Sequence, residues 1–384
     1  MRNPSQKERI TRVIQEYDAQ GWHRSGTEVD HSSAAWLADR VTECGLDPVL
    51  EPFDFSRVDP ELAYVEIAGR RVDAVPLFDG GFTGPDGVHG SIGPVGSYAE
   101  IAIAEVGAGP RQDFTQARQA DRHKGIVAVT PTGPGVAIMN APSFLTPFGP
   151  PVLQVGSEAR EWLVGHTGLN SEARLVVAVA RTPATSFNVT SSIQGGDVGL
   201  APVIVMTPRS GWWHCAGERG GGIACWLELM RSLAEIEPKR NVTFVATSGH
   251  EIGLPGIESF LDRRLGLQKD ARAWVHFGAN IGATADASLR YSASDQDLMR
   301  RAQDALQESG AGSSEPARSM VGAESSLIYS RGASCVAVVG GTYPLFHREA
   351  DRWSSSIDVD AIARCARAFT AVAADLGTGG VTGP

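Results

Sequence analysis

The fold class follows from residues 202–251, which read PVIVMTPRSGWWHCAGERGGGIACWLELMRSLAEIEPKRNVTFVATSGHE. The apolar runs PVIVMT (202–207) and NVTFVAT (241–247) each predict a buried β-strand. Between them, IACWLELMRSLAEI (223–236) carries its large apolar residues on one side at helical spacing. A strand, a helix and a second strand in this order are typical of a parallel sheet with helices packed against it.

The same alternation continues to the carboxyl end of the sequence. The pattern predicts helices at 255–264, 295–308 and near 358–376, and strands at 272–278 and 334–340. Apolar residues at helical spacing also predict a helix over residues 7–18 and a second helix that begins after Ser32 and Ser33. We therefore expect an α/β fold with a mixed, largely parallel sheet sandwiched by helices.

Residues 56–185 follow a different pattern. Short apolar runs such as GIVAVT, GVAIM, PVLQV and ARLVVAVA alternate with turns, and residues 79–97 have the glycine-rich composition of a loop. We expect this part of the chain to be a β-rich inserted domain. Residues 1–55 and 186–384 should then form one α/β domain.

Composition narrows the classes of function. The chain has 384 residues and a formal net charge of -10, which argues against nucleic acid and anionic membranes as partners. No apolar run reaches the roughly 18 residues of a membrane span, and the polar N-terminal segment does not resemble a signal peptide. The five cysteines form no C-x-x-C pair, so reduced thiols and a cytoplasmic location are expected. The oligomeric state is left open.

Histidines and acidic residues follow the predicted strands. His214 and Glu218 come after the strand at 202–207, and His250 and Glu251 come after the next strand. His347 follows the strand at 334–340. Ligands of parallel sheets bind beyond the carboxyl ends of the strands, so these side chains are expected to lie close together. Imidazole nitrogens and carboxylate oxygens are typical ligands of zinc and similar ions, although helix caps and turns also place such residues there.

The order of these segments resembles that of the co-catalytic zinc aminopeptidases, peptidase family M28, which also contains the glutaminyl cyclases. The matching segments are, in chain order, PVIVMTPRS, GERGGGIACWLEL, FVATSGHEIGLPGIESFL, AWVHFGANIG and YPLFHREADRWSSSIDVDAIARCARAF. GWHRSGTEVDHSSAAWLADRVTECGLDPVLEPF also resembles the family's opening segment. KGIVAVTPTG and PPVLQVGSEAREWL resemble parts of a protease-associated domain. The resemblance implies the zinc aminopeptidase fold and a metallopeptidase-like amide hydrolase.

The chain departs from the family at the positions that belong to the first zinc. Pro208 stands where the family has a histidine, and Ser210 stands where it has an aspartate. Gly278 replaces the aspartate that ends the fourth strand. Because Pro208 and Gly278 cannot ligate through a side chain, the resemblance implies that this zinc site is lost.

The positions that belong to the second zinc are retained. The resemblance implies Glu218, Glu251 and His347 as its ligands, and His214 is a further candidate ligand or a supporting residue. Two carboxylates and one imidazole leave an open position for water. The expected cofactor is therefore one divalent metal ion, with zinc as the expected element.

The resemblance also points to the residues that move protons. His250 stands at the position of the family's general-base glutamate, and Glu324 falls where the family has an aspartate that orients substrate or shares a proton. A histidine with the ordinary pKa of about 6.5 can take a proton from water at neutral pH. His250 and Glu324 are therefore the expected catalytic residues.

These observations predict a metal-dependent hydrolase that acts on a small amide or peptide-like substrate through one metal-activated water. Two alternatives stay open. The first is a non-catalytic family member that uses the cleft for binding. The second is a metal-free enzyme on the same fold, in which His214, His250, Glu251 and His347 carry out the acid–base chemistry alone.

Overall fold

The computed structural model describes residues 4–107, 111–169, 171–283, 287–353 and 356–379. Within these ranges, no helix combines the length and the apolar character needed to cross a membrane. The location in the cytoplasm stays a prediction.

The described ranges contain ten α-helices and fourteen β-strands. The helices are α1 (Gln6–Ala19), α2 (Glu28–Glu43), α3 (Gln112–Ala120), α4 (Arg160–Thr167), α5 (Ala216–Ala234), α6 (Pro255–Asp262), α7 (Leu267–Asp270), α8 (Gln296–Glu308), α9 (Ala323–Ser330) and α10 (Val359–Thr378). The strands are β1 (Val49–Ile67), β2 (Arg70–Asp73), β3 (Val75–Pro76), β4 (Val88–Pro94), β5 (Ile101–Glu105), β6 (Gly125–Val129), β7 (Val152–Val155), β8 (Glu172–Ile193), β9 (Val203–Pro208), β10 (Val242–Thr247), β11 (Ala273–Phe277), β12 (Leu289–Ala293), β13 (Ser314–Pro316) and β14 (Cys335–Gly340).

Four parallel strands form the centre of the α/β sheet, in the order β14, β11, β9 and β10. Val205 of β9 lies opposite Phe244 of β10 and Val275 of β11. All three side chains are buried, as expected for parallel strands that are covered on both faces. β12 and β8 flank this centre and run antiparallel to their neighbours. The sheet is therefore mixed but largely parallel, as predicted.

Helices cover both faces of this sheet. The larger core joins apolar side chains of α1, α2, α5, α8 and α10 to one face. A smaller core packs α6 and α9 against the other face, around Phe260, Trp274 and Ile328. The predicted sandwich of helices around a sheet is thus confirmed.

The glycine-rich sequence before residue 223 is helical, which the sequence pattern does not predict. α5 begins at Ala216, seven residues earlier than expected. A Cβ atom at Gly221 would lie 2.0 Å from the backbone carbonyl oxygen of Ile281, so only glycine allows the helix to approach the loop after β11 this closely. As a result, Glu218 lies in the first turn of a buried helix. α2 also begins early, because Thr27 and not Ser32 or Ser33 caps it.

A long antiparallel ribbon formed by β1 and β8 runs through the middle of the molecule. Its register extends from Val49 opposite Thr190 to Ile67 opposite Ala173, with one irregularity between Pro60 and Leu62. Both expected boundaries of the inserted domain fall inside these strands. The division into 1–55 with 186–384 and 56–185 therefore stays a prediction.

The region between the two long strands contains parallel strands as well as helices. β4, β5, β6 and β7 pair in that order, and α3 and α4 accompany them. The expectation of a loop over residues 79–97 is wrong in part, because β4 pairs there with both β5 and β8. The run GVAIM (135–139) does not form a strand. It belongs to the roof segment, residues 130–148, which contacts the loops after the parallel strands.

Candidate active site

Strained backbone marks the segments that follow the parallel strands. Among the described residues, seven that are not glycine have positive φ. Four of these seven lie after β9, β10, β11 and β14, and they are Cys215, Leu254, Asn280 and His347. Such conformations cost about 1–3 kcal/mol each and concentrate at functional sites. This edge of the sheet is therefore the expected position of a functional site.

Asp351 fixes the start of α5 and thereby the position of Glu218. One carboxylate oxygen accepts from the backbone N–H of Gly217 at 2.7 Å, and the other accepts from that of Glu218 at 2.9 Å. The hydroxyl of Tyr343 donates to the same carboxylate at 2.9 Å. Burial raises the pKa of Asp351 to about 7, although these three donors oppose the shift.

Glu218 is 1% exposed and lies between a guanidinium and an imidazole. Its Oε1 lies 2.7 Å from Nη2 of Arg219 and 3.5 Å from Nε2 of His347. Its Oε2 and the Nε2 of His347 have no hydrogen-bond partner. Burial alone would raise the pKa of Glu218, but Arg219 and His347 lower it. The carboxylate is therefore ionised and half of its hydrogen-bonding capacity is unused.

His347 has a fixed tautomer. Its Nδ1 lies 2.7 Å from the backbone carbonyl oxygen of Ile138, which can only accept, so Nδ1 carries the proton. The Nε2 atom then presents a lone pair toward Glu218. Burial lowers the pKa of His347 to about 4, so the ring is neutral at physiological pH.

The second carboxylate of the cluster, Glu324, contacts two histidines. Its Oε1 lies 2.8 Å from Nδ1 of His250, and its Oε2 lies 3.7 Å from Nε2 of His276. Burial alone would raise the pKa of Glu324, but the two imidazoles and Arg219 lower it to about 2. Burial lowers the pKa of His276 to about 4, and neither of its ring nitrogens has a hydrogen-bond partner. The sequence pattern does not predict α9, the short helix that carries Glu324.

Of His250 and Glu324, His250 has the more accessible side chain. Its side chain is 10% exposed, whereas that of Glu324 is 2% exposed. Because Nδ1 faces the carboxylate of Glu324, Nε2 is the atom that is left to exchange a proton with a ligand. The structure thus brings the two expected catalytic residues into direct contact.

Glu251 is buried among hydroxyl groups. Its Oε1 accepts from the backbone N–H and the hydroxyl of Ser25 at 2.9 and 2.7 Å. Its Oε2 accepts from the hydroxyl of Ser210 at 2.7 Å. Both oxygens are therefore used by donors of the protein itself, and neither is free in the way that Oε2 of Glu218 is.

The structure does not bring His214 to the cluster. Its Nδ1 lies 2.8 Å from the backbone carbonyl oxygen of Asp18, at the end of α1. The next residue, Cys215, has a left-handed backbone at the start of α5. His214 therefore contacts α1, in contrast to the expected contact with Glu218.

The expected metal ligands are not assembled in the structure. Within the described ranges, no group of three or more histidine, cysteine, aspartate or glutamate side chains is placed to hold a metal ion. Glu218 and His347 offer one free atom each, but Glu251 is occupied by serines. Two donors beside a guanidinium do not make a zinc site of the expected three-ligand kind. The residues present therefore do not fit the implied metal.

The roof segment (residues 130–148) covers the cluster. The backbone N–H of Ile138 donates to the carbonyl oxygen of His347 at 3.1 Å, and that of Ala141 donates to the carbonyl oxygen of Glu251 at 2.8 Å. Nε1 of Trp212 donates to the side-chain oxygen of Asn140 at 3.0 Å. The segment thus contacts the loops that follow β9, β10 and β14.

A cavity of about 490 Å³ lies between this segment and the α/β part of the chain. Its lining residues are Val75, Pro134, Gly135, Val136, Trp213, Glu349 and Ala350. Nε1 of Trp213 donates to the backbone carbonyl oxygen of His347 at 3.0 Å, so one lining residue of the cavity contacts the backbone of the cluster. It is mostly apolar with one carboxylate, which is typical of a site for a small ligand.

Sequence reasoning missed three groups that shape the site. Arg219 adjoins Glu218, and a basic residue in the first turn of a buried helix is an unusual signal that could have revealed it. Ser25 is remote in sequence from Glu251 and carries no motif. The roof segment reads as an ordinary apolar run.

Residues 206–373 match the family model of peptidase family M28. This match confirms the resemblance inferred from the sequence. No curated protein matches the sequence of this chain.

Solved structures with the same fold cover nearly the whole chain. The zinc aminopeptidase BSAP from Bacillus subtilis has a TM-score of 0.79 and 17% identity, over 97% of this chain and 95% of that one. An aminopeptidase from Aneurinibacillus sp. strain AM-1 has a TM-score of 0.73 and 14% identity, over 95% and 93%. A peptidase M28 precursor from Shewanella amazonensis SB2B has a TM-score of 0.72 and 14% identity, over 98% and 96%. These likenesses establish the fold.

Proposed function

From the premise that the chain belongs to peptidase family M28, we propose that it is an amide hydrolase that uses His250 and Glu324 for proton transfer. The aminopeptidase fold and the family support a peptidase-like hydrolase. The substrate is a small amide or a peptide-like molecule.

The observation that carries this proposal is the contact between His250 and Glu324. A carboxylate at 2.8 Å from Nδ1 holds the imidazole in the tautomer whose Nε2 can accept a proton. The low pKa of Glu324, about 2, keeps this carboxylate ionised. A carboxylate that orients an imidazole is a recurrent device for general acid–base catalysis.

The chemistry follows from these roles. Nε2 of His250 takes a proton from a water molecule as the water attacks the amide carbon. The carboxylate of Glu324 stabilises the imidazolium that forms, and the nearby charge of Glu218 acts in the same direction. His250 then gives the proton to the leaving amine, so that it ends the cycle unchanged.

A bound metal ion is not part of this proposal. Glu251 would have to give up three hydrogen bonds to Ser25 and Ser210 before it could act as a ligand. His214 would have to leave Asp18. The expectation of one zinc held by Glu218, Glu251 and His347 therefore lacks support from the donor geometry.

The size of the substrate is inferred from the cavity beside His347. A volume of about 490 Å³ accommodates a group no larger than a few amino-acid residues. Its apolar walls, which include Val136 and Trp213, favour an apolar substituent on the substrate. We therefore expect amides of apolar amino acids or of comparable acids to be the best substrates.

The test is the hydrolysis of a panel of aminoacyl amides, aminoacyl anilides and dipeptides by the full chain. His250→Ala should lower kcat by about 10²–10⁴, as expected when a general base is removed. Glu324→Gln should lower kcat at least about tenfold, because the orienting charge is lost. His89→Ala, which changes an exposed histidine outside the cluster, is the control and should leave kcat within about twofold.

A His250→Ala protein that retains wild-type kcat would contradict the proposed role. If the wild-type protein hydrolyses no member of the panel, with or without added zinc, the proposal fails. That outcome would favour a non-catalytic family member.

A further inference from the structure

A buried cation lies within the cluster that the proposed mechanism uses. Arg219 is 1% exposed, and its Nη2 lies 2.7 Å from Oε1 of Glu218. Its Nε donates to the backbone carbonyl oxygen of Ser210 at 2.9 Å. Neither Nη1 nor Nη2 has a hydrogen-bond partner, so the contact with Glu218 is an ion pair. The guanidinium therefore connects the end of β9 to the first turn of α5.

The charge of Arg219 offsets the charges of two buried carboxylates. Burial alone would raise the pKa of Glu218 and of Glu324, but Arg219 contributes to lowering both. The two carboxylates in turn raise the pKa of Arg219, against burial, which lowers it. An unpaired carboxylate costs several kcal/mol when it is buried. A cation at this place thus favours the ionised forms of Glu218 and Glu324, together with the neighbouring histidines.

The guanidinium of Arg219 lies at the end of β9, where the chain lacks the metal-site residues that the family resemblance expects. Ser210 stands where the family resemblance expects a carboxylate ligand, and it offers a backbone carbonyl oxygen to Arg219 instead. The Ser210 hydroxyl faces the other way, toward Glu251. At this strand end, a group that could bind a cation therefore binds the guanidinium of Arg219.

We propose that Arg219 is a resident cation that takes the place of a divalent metal ion, so that this chain needs no bound metal. Arg219 is a positioning residue, because its guanidinium joins the Ser210 carbonyl oxygen after β9 to the carboxylate of Glu218. The inference rests on the proposed function only for its activity measurement, since metal content is measured without a substrate.

The first measurement is the zinc content of the full chain, purified without chelator. The wild-type protein should hold less than about 0.1 zinc per chain, because Arg219 repels a divalent ion at short range. Arg219→Asn removes the charge and shortens the side chain, so zinc affinity in a calorimetric titration should rise at least about tenfold. Arg219→Lys keeps the charge and should bind zinc no better than the wild type.

Arg209→Lys is the matched control, because Arg209 is an equally buried arginine that pairs with Asp30 outside the cluster. It should not change zinc affinity. If Arg219→Asn fails to fold, the zinc content of the wild type alone still decides the matter. About one zinc per wild-type chain overturns the inference, and so does an Arg219→Asn protein with unchanged zinc affinity.

The activity measurement separates this inference from the proposed function. If a substrate of the panel is hydrolysed, a chelator should leave kcat within about twofold of its untreated value. Loss of activity with a chelator and its recovery with zinc would overturn the inference while hydrolysis itself stands. If no substrate is hydrolysed, the proposed function fails and the zinc measurements still test Arg219.

Discussion

Two glutamates at the same sheet edge, Glu251 and Glu218, have opposite surroundings. Glu251 is fully buried and receives three hydrogen bonds from Ser25 and Ser210. Glu218 is equally buried, but its Oε2 has no partner and its Oε1 faces Arg219 and His347. The sequence alone does not distinguish the two residues, because both stand where the family resemblance expects a metal ligand.

The contrast extends to the neighbours of Glu218. Buried polar atoms without a partner are rare in proteins, and each costs about 1–3 kcal/mol. In this cluster they are Oε2 of Glu218, Nε2 of His347, Oε2 of Glu324, both ring nitrogens of His276 and both Nη atoms of Arg219. Glu251 belongs to a network that stabilises the fold, whereas the cluster around Glu218 retains capacity for a ligand.

The largest difference between the two environments is expected in acid. Burial lowers the pKa of His276 and His347 to about 4 and that of His23 to about 3, while the unfolded chain takes up these protons near pH 6.5. Stability is therefore complete above pH 6.5 and is lost as the pH falls toward 4. Between pH 7 and 5 the free energy of unfolding should fall by about 2 kcal/mol for each of these histidines.

Urea denaturation at pH 7 and pH 5 measures this loss. His276→Gln should reduce the number of protons taken up on unfolding by about one, because Glu324 then faces an amide that does not titrate. His89→Gln, on an exposed histidine, should leave the dependence unchanged. Equal stability of the wild type at both pH values would show that the cluster does not hold its histidines neutral.

The second prediction compares the two glutamates directly by isosteric substitution. Glu251→Gln should lower the free energy of unfolding by about 2–3 kcal/mol, because its amide group meets Ser210, whose oxygen already accepts from Gly249 and His250. Glu218→Gln should lower it by less, because the charge of Glu324 still acts on Arg219, the amide oxygen can remain with the guanidinium and the amide group gains free acceptors.

Urea denaturation at pH 7 measures both variants. The comparison between the two environments is wrong if Glu218→Gln is the more destabilising change. The comparison gains support if Glu218→Gln keeps wild-type stability and loses amide hydrolysis.

The smallest effect is expected in the roof segment, which contacts both environments. Asn140→Ala removes the acceptor of the Trp212 indole and should cost about 1 kcal/mol. Hydrogen exchange of the backbone N–H groups of Ile138 and Ala141 should become faster, because these groups hold the segment to His347 and Glu251. Exchange within β10 should be unchanged, and a general acceleration would mean that the roof segment is not a separate unit.

The four central parallel strands, β14, β11, β9 and β10, could be predicted from the sequence to within one or two residues. Runs such as PVIVMT have no polar interruption, and a strand buried on both faces requires just that. The start of α5 could not be predicted, because glycines at 217 and 220–222 have low helix propensity. Their helical state depends on close packing against the loop at Ile281, which is a tertiary contact.

The candidate site could be predicted only in part. The order of segments places His250, Glu324, Glu218 and His347 at one sheet edge, and the structure agrees with that placement. The partners of Glu251 could not be inferred, because Ser25 lies more than 200 residues away and an isolated serine carries no pattern. The contact of His214 with Asp18 could not be inferred either, because it joins residues almost 200 positions apart and carries no sequence pattern.

The β1–β8 ribbon also restricts how the chain can gain or lose residues. Side chains alternate between the two faces of a strand, so removal of one residue from β1 would turn every later side chain of that strand to the wrong face. Insertions or deletions are therefore tolerable within the ribbon only if β1 and β8 change by matching numbers of residues. Elsewhere they are tolerable beyond Ile67 and Glu172, where the register ends. Natural variants and grafted inserts of this architecture should differ in length outside the ribbon and keep its pairing intact.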